Sequence, residues 1–256
     1  MRIQLLSDLH LESETFDPEP LPAAELLVLA GDIDTTWNAL PRFRGWPVPV
    51  IMVAGNHEFD GRELRTTWPQ LRWYCDSLGI RLIEQEELLL TDDAGRRIRV
   101  LGTVRWCDFD LFGPAQRDRC QRAGSYFARV MRSTVDGRVF GTQEVRDEAL
   151  LCRQWLEHAL RTPRAGCDAT LVITHFAPSL LSADPRYGSQ PGTASFCNAD
   201  DDLLPWANVW VHGHLHCRHD YVVRHARGAT RVVCQARGLG LRDEPEGFDP
   251  YKLIEV

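Results

Sequence analysis

Residues 3–10 have the sequence IQLLSDLH, in which a short apolar run is followed directly by an aspartate and a histidine. Four later stretches repeat the pattern. The runs and the polar residues that follow them are Ile3–Leu6 before Asp8 and His10, Leu26–Ala30 before Asp32, Val50–Ala54 before Asn56 and His57, Leu171–Ile173 before His175, and Val209–Val211 before His214 and His216. Runs this short, bounded by Gly or turn residues, are typical of strands buried on both faces.

Segments with helical spacing of apolar residues lie between these runs. Residues 61–78 and 143–160 both carry apolar side chains three or four positions apart, which predicts amphipathic helices. The strand, helix, strand order indicates an α/β layered fold. In such folds the ligand site usually lies at the carboxyl ends of the strands, which is where this chain has its polar residues.

We expect one domain over residues 1–256, because no stretch has the composition of a linker. Residues 105–141 fit the succession of strands and helices less well, since aromatic and arginine side chains are interleaved there. They form either a cap over a substrate pocket or a surface helix pair with solvated arginine heads. Arg105 and Trp106 either reach the site from a strand end or only begin the cap. Residues 242–250, rich in acid, Gly and Pro, predict an irregular surface segment.

Composition excludes several classes of protein. A hydrophobic fraction of 44% with 25% charged residues is typical of a soluble globular protein. The net charge of −7 argues against a broad basic face for duplex nucleic acid and favours a small substrate. The first residues leave no room for a signal peptide, and no apolar run approaches the ~20 residues of a membrane span. We therefore expect a cytoplasmic protein without a membrane partner.

The cysteines and the oligomeric state are less informative. Eight cysteines are scattered without a C-x-x-C pair, which indicates free thiols in a reducing compartment. No heptad pattern or apolar interface stripe is visible, so a monomer is the default expectation and the oligomeric state stays open.

The polar residues at the five strand ends share one chemistry. Aspartate, asparagine and histidine side chains form a ligand set for Mn²⁺, Fe²⁺, Zn²⁺ or similar ions. In Asp8-Leu9-His10, residues two apart at a strand end can project the same way and bind one ion. Each fragment alone has an ordinary explanation as a turn, a helix cap or a core histidine. Their occurrence together and in this order is hard to explain in that way.

The ordered set D-x-H, G-D, G-N-H-E, T-H and G-H-x-H resembles the calcineurin-like metallophosphoesterase superfamily. The resemblance implies a layered β-sheet sandwich flanked by helices, with two divalent cations at the carboxyl ends of the strands. Mn, Fe, Zn and Ni are the candidate metals. By the same resemblance, the first metal is held by Asp8, His10 and His216, the second by Asn56, His175 and His214, and Asp32 bridges the two.

The resemblance also implies a mechanism. Two cations about 3.5–4 Å apart share a hydroxide that attacks phosphorus in line, so no covalent protein nucleophile is needed. His57 is the expected catalytic residue, which steadies or protonates the leaving group. Its alternative role is to orient Asn56 or the bridging water. The expected substrate is a small phosphoester, with a phosphodiester slightly favoured over a phosphomonoester. A nucleotide is one candidate, because rings of the 105–141 segment could stack on a base.

Two residues depart from the family pattern and two other functions compete. The family often shows G-D-x-x-D, whereas Asp34 comes one position early, so its role is left open between the site and a turn. His212 has no position in G-H-x-H and either supports the site or packs beneath it. A non-catalytic scaffold for partner proteins would be marked by a lost ligand, and none of the seven is lost. A metallohydrolase of another bond is the second alternative.

Overall fold

The computed structural model describes the whole chain, residues 1–256, as thirteen strands and four α-helices. The helices are α1 (Leu64–Ser77), α2 (Arg117–Gly124), α3 (Phe127–Met131) and α4 (Thr142–Arg161). The strands are β1 (Arg2–Leu6), β2 (Leu26–Ala30), β3 (Val50–Val53), β4 (Ile80–Leu82), β5 (Glu86–Thr91), β6 (Arg97–Thr103), β7 (Thr134–Val135), β8 (Arg138–Val139), β9 (Ala169–Thr174), β10 (Val209–His212), β11 (Arg218–His225), β12 (Gly228–Gln235) and β13 (Leu253–Glu255).

Two mixed sheets form the body of the molecule. The first has the order β13-β1-β2-β3-β4, and the second has the order β11-β12-β10-β9-β6-β5. The inner strands of both sheets are parallel, whereas β13, β11 and β5 run antiparallel to their neighbours at the edges. The carboxyl ends of the parallel strands therefore meet at one rim. A bridge between Ser7 and Ala236 joins the two sheets there.

The alternation of side chains along the strands explains the layers. In β9, Leu171 and Ile173 point into the main core between the sheets, whereas Val172 points to the outer face. On that outer face, Leu156 and Leu160 of α4 cover the second sheet. Helix α1 covers the first sheet through side chains that include Leu64, Leu71 and Cys75. The predicted layered α/β sandwich flanked by helices is thus confirmed.

The predicted helices over residues 61–78 and 143–160 correspond to α1 and α4, with ends shifted by one to three residues. Glu63 caps α1, since its carboxylate accepts from the Thr66 N–H at 2.8 Å. No helix in the structure is both long enough and apolar enough to cross a bilayer.

Residues 105–141 carry α2, α3 and the β7–β8 hairpin, and their aromatic side chains enter the main core. Arg105 is fully buried, and its guanidinium donates to both oxygens of Asp200 at 2.8 Å and to Asp108 at 2.8 Å. Trp106 packs against Phe59, with 5.9 Å between ring centroids. Arg105 is thus committed to an internal ion pair and Trp106 to packing. Neither side chain is free to bind a substrate.

Candidate metal centre

The turns after five parallel strands bring the predicted donors together at the rim. Asp8 and His10 follow β1, Asp32 follows β2, and Asn56 follows β3. Backbone hydrogen bonds tie these turns to each other: the Asp8 N–H donates to the Gly31 carbonyl at 3.0 Å, and the His10 N–H to the Asp32 carbonyl at 3.2 Å. From the second sheet, His175 follows β9, and His214 and His216 follow β10.

The donors form two groups, each with atoms within 4.8 Å of one another. We name the first donor cluster as Asp8, His10, Asp32 and His216, and the second donor cluster as Asp32, His175, His214 and the neighbouring Asn56. In the first, the His216 Nε2 lies 3.5 Å from Asp8 Oδ1. In the second, the His175 Nε2 lies 3.2 Å from both Asn56 Oδ1 and Asp32 Oδ2. Asp32 belongs to both.

Carboxylates orient the imidazoles of the first donor cluster. His10 Nδ1 lies 3.1 Å from Glu12 Oε1, and His216 Nδ1 lies 2.6 Å from Glu244 Oε2. A carboxylate only accepts hydrogen bonds, so each Nδ1 carries the hydrogen and each Nε2 presents its lone pair to the cluster.

Backbone carbonyls orient the imidazoles of the second donor cluster. His175 Nδ1 donates to the Ala30 carbonyl at 2.8 Å, which leaves Nε2 facing Asp32. His214 Nε2 donates to the Ser195 carbonyl at 3.2 Å, which leaves Nδ1 as its lone-pair nitrogen. The main chain therefore fixes which ring nitrogen faces the cluster, Nε2 in His175 and Nδ1 in His214.

Three observations fit divalent cations at these clusters. The lone-pair nitrogens of His10 and His216 face each other at 3.1 Å, which is repulsive unless positive charge lies beside them. Asp32 Oδ2 is buried and accepts no hydrogen bond. The donors are imidazole, carboxylate and amide groups without a thiolate, which suits Mn, Fe, Zn or Ni.

The charge at the rim favours cations as well. Burial would lower the pKa of His175, but the Asp32 carboxylate outweighs it and raises that pKa to about 9. Burial would raise the pKa of Asp32, but His175 and His57 hold it well below its usual range. His214 behaves differently: burial and the neighbouring His175 keep its pKa well below the usual value, which favours the neutral imidazole that could bind a metal.

His57 sits beside the first donor cluster, with its ring centroid 5.2 Å from that of His10. Its Nδ1 lies 2.7 Å from Asp60 Oδ2. Burial lowers the pKa of His57, but the charges of Asp32 and Asp60 dominate and raise it to about 10. The contact with Asp60 fixes the ring and leaves Nε2 as the nitrogen that can carry a second proton.

Glu58 holds the turns of β2 and β3 together. This fully buried carboxylate accepts backbone N–H groups from Asp32 at 3.0 Å, Ile33 at 2.7 Å and Gly55 at 2.6 Å. Burial and the nearby charge of Asp32 raise the pKa of Glu58 to about 7. Glu58, the fourth residue of G-N-H-E, therefore connects the two donor-bearing turns through backbone hydrogen bonds.

Glycine is required where these turns touch. Gly31 has φ +88°, and a Cβ there would lie 2.4 Å from His175 Nδ1. At Gly55 a Cβ would lie 2.1 Å from Asp32 Oδ1. The G-D and G-N pairs thus reflect close packing of backbone against ligand side chains.

The backbone of the donor residues is itself unusual. Five of the seven have left-handed φ angles, a conformation that is uncommon outside glycine. They are Asp8 (52°), His10 (47°), Asp32 (54°), His214 (72°) and His216 (52°). These are single-residue reversals at strand ends, and they turn each side chain toward the rim.

The structure shows what surrounds Asp34 and His212, whose roles could not be decided from the sequence. Asp34 caps a turn, because its carboxylate accepts from the Thr36 N–H at 2.8 Å and the Ala39 N–H at 2.5 Å. His212 is fully buried, and its Nε2 lies 2.9 Å from Ser182 Oγ. The side chains of both residues therefore support loops, and neither is hydrogen-bonded to a metal-donor side chain.

Sequence reasoning missed the supporting carboxylates. Glu12 and Glu58 lie within two residues of predicted site residues, so proximity was a usable signal for them. Glu244 gave no such signal, since it lies 28 residues from His216. The prediction of a surface segment over residues 242–250 is wrong at this position, because Glu244 is only 4% exposed.

Comparisons with known proteins agree with this geometry. The family described as calcineurin-like phosphoesterase matches residues 1–218. The structure of phosphopantetheinyl hydrolase from Mycobacterium tuberculosis is similar with a TM-score of 0.73, at 18% identity, over 99% of this chain and 95% of that chain. A dimetal phosphatase from Danio rerio gives a TM-score of 0.45 at 12% identity, over 91% of this chain and 86% of that chain. No curated protein sequence matches.

The family match covers most of the chain, and the M. tuberculosis structure has the same fold over nearly its whole length. The chain therefore belongs to the calcineurin-like phosphoesterase family and, with its two donor clusters, is a metal-dependent ester hydrolase.

Proposed function

We propose that the protein hydrolyses a small phosphoester at a dinuclear centre, with phosphodiesters slightly favoured over phosphomonoesters. The observation that carries this proposal is Asp32, whose carboxylate belongs to both donor clusters and keeps a buried oxygen without a hydrogen bond. A shared carboxylate is the group that would bridge two cations. Mn²⁺ is our first candidate metal, with Fe, Zn and Ni as the others.

The residues would divide the work as follows. Asp8, His10 and His216 would hold one cation, and Asn56, His175 and His214 the other, with Asp32 between them. When bound, such cations supply a water of lowered pKa and positive charge against the phosphoryl oxygens. Glu58 keeps the Asp32 turn fixed, so the donors need little rearrangement when they bind.

His57 is the proposed general acid. Asp60 holds its Nδ1 at 2.7 Å, so the opposite ring nitrogen, Nε2, is free to carry a proton. That proton can pass to the oxygen of a departing alcohol, which would otherwise leave as an unstable alkoxide. The alternative role of orienting Asn56 is less well supported, because no hydrogen bond joins the two side chains.

Two classes of phosphoester are candidate substrates. The named activity of the M. tuberculosis structure makes a phosphopantetheinyl ester one candidate substrate, beside the nucleotide suggested by the sequence. The buried positions of Arg105 and Trp106 remove them as stacking partners for a base. We also propose that residues 1–256 act as one domain with 105–141 as a cap, since Phe127 of α3 lies 6.3 Å from the His214 ring, centroid to centroid.

The test begins with protein stripped of metal by a chelator. Mn²⁺, Fe²⁺, Ni²⁺, Zn²⁺ or Mg²⁺ is restored in turn, and a chromogenic phosphodiester is assayed beside the matching monoester and a phosphopantetheinyl ester. We expect turnover only with metal and a loss of about 10³-fold in Asp32→Ala, because the metals contribute several kcal/mol. Asp76→Ala, an exposed acid on α1, is the matched control.

Two results would contradict the proposal. Equal turnover of the stripped and restored protein would remove the metals from the chemistry. Two bound ions with no turnover of any phosphoester would point to hydrolysis of another bond.

A further inference from the structure

Residues 237–246, which lie beyond the family match at 1–218, run alongside the first donor cluster. The Arg237 N–H donates to the Ser7 carbonyl at 3.0 Å, and the Gly238 N–H to the Asp8 carbonyl at 2.9 Å. The segment is therefore bonded to the turn that carries the first ligands.

Close packing then places Glu244 against His216. Gly238 has φ +77°, and a Cβ there would lie 2.7 Å from the Glu244 Cβ and 3.0 Å from the His216 Cβ. Only glycine allows the segment to approach this closely. Arg218 fixes the same stretch from the other side, since its guanidinium donates to the backbone carbonyls of Glu244 and Glu246.

The Glu244 carboxylate is held on more than one side. Oε2 accepts from the Leu239 N–H at 2.8 Å as well as from His216 Nδ1 at 2.6 Å. Arg186 Nη2 lies 3.7 Å from Oε1. The side chain is 2% exposed, so water cannot replace it as the partner of His216 without disturbing the segment.

We propose that Glu244 is a positioning residue that fixes the ring and tautomer of His216 and thereby sets the affinity of the first donor cluster for its cation. This inference rests on the proposed metal centre. With the hydrogen on Nδ1, the Nε2 lone pair of His216 points to the cluster that contains Asp8 and His10. Without Glu244 the ring can rotate and can place its hydrogen on Nε2, where it blocks coordination.

The experiment compares wild type with Glu244→Ala, Glu244→Gln and Glu246→Ala. Glu246 is the matched control, because its side chain is exposed and only its backbone carbonyl is used. Mn²⁺ is titrated into each metal-free protein by calorimetry. Nitrogen-15 NMR of the histidine rings, with His216 assigned by His216→Gln, reports the tautomer in the absence of metal.

We expect Glu244→Ala to weaken one of two binding events by about 10–100-fold and to leave the other unchanged. In the same variant, His216 should shift from pure Nδ1–H toward a mixture of tautomers. Glu244→Gln should lie between, since its amide oxygen still accepts from Nδ1, and Glu246→Ala should match wild type. The Gln variant also preserves the test if the Ala variant fails to fold.

The outcomes separate this inference from the proposed function. If wild type binds no Mn²⁺, the titration is repeated with Zn²⁺, Ni²⁺ and Fe²⁺, and binding of none of these ions would end the proposed metal centre itself. Wild type that binds two ions, with Glu244→Ala and Glu244→Gln binding them equally tightly and keeping the Nδ1–H tautomer, would overturn the role of Glu244 alone.

Discussion

Both donor clusters combine aspartate with two histidines, but the histidines are supported differently in the two. In the first, His10 and His216 are held by the carboxylates of Glu12 and Glu244. In the second, backbone carbonyls hold His175 and His214. The first is also more open, since the His216 side chain is 15% exposed and that of His175 is fully buried. The first cluster thus depends on side chains that mutation can remove, and the second on the course of the main chain.

The largest expected effect concerns His57, the proposed general acid beside the first donor cluster. His57 lies next to His10 of the first donor cluster, so we expect His57→Gln to lower kcat by about 10²–10⁴-fold on an alkyl phosphoester. The reason is loss of the proton donor. The measurement is kcat on paired esters with alkyl and nitrophenyl leaving groups, at constant metal content.

The nitrophenyl ester serves as the internal control, because its leaving group departs without a proton and should lose little. An equal loss on both esters would instead support the role of His57 in orienting Asn56 or water.

The second donor cluster should be disrupted most by a substitution that displaces its backbone. Gly31→Ala forces a Cβ toward His175 Nδ1 at a left-handed φ, so we expect a loss of about 1–3 kcal/mol of unfolding free energy together with loss of one bound ion. Denaturant unfolding of the metal-free protein and metal analysis of the loaded protein measure the two effects.

Gly45→Ala is the matched control, since Gly45 has φ +71° but nothing within 4 Å of the added Cβ. It carries the backbone strain without the contact with a ligand. If Gly31→Ala lost no more stability than Gly45→Ala and kept both ions, the backbone account of the second donor cluster would be wrong.

The smallest effect is expected at Glu12. Its contact with His10 is longer than that of Glu244 with His216, at 3.1 Å against 2.6 Å, and its side chain is 21% exposed. We therefore expect Glu12→Gln to weaken one Mn²⁺ binding event by about 10-fold, less than Glu244→Ala does. Calorimetric titration measures this. A greater loss of Mn²⁺ affinity in Glu12→Gln than in Glu244→Ala would contradict this prediction, because Glu12 would then support the cluster more strongly than Glu244 does.

The sequence was most informative where structure is local. Strand ends such as Asp8 and His214 could be placed because short apolar runs stop at turn residues, and the family resemblance ordered them. The supports of His175 and His214 could not be predicted, because Ala30 and Ser195 act through carbonyls that every residue possesses. Glu244 was missed for a different reason. Its contact depends on how residues 237–246 return to the rim, which no local pattern encodes.

The role of Arg105 could not be predicted from the sequence for the same reason. An arginine after a strand of the predicted sheet could face a substrate or the interior, and the choice depends on Asp200, 95 residues away. Pairing at such a separation follows from tertiary packing alone. The motif residues could be placed because they follow parallel strands of the two sheets, whose carboxyl ends meet at one rim.

The left-handed φ angles of five donor residues matter for anyone who wishes to graft this centre onto another scaffold. A design that copied the side chains onto ideal extended strand ends would aim them elsewhere, because each reversal of the main chain sets the direction of its Cβ. Asp and His tolerate this conformation, whereas β-branched residues do so poorly. The unit to copy is therefore each strand together with the left-handed turn that follows it, because the donor side chains alone would not reproduce the geometry of the centre.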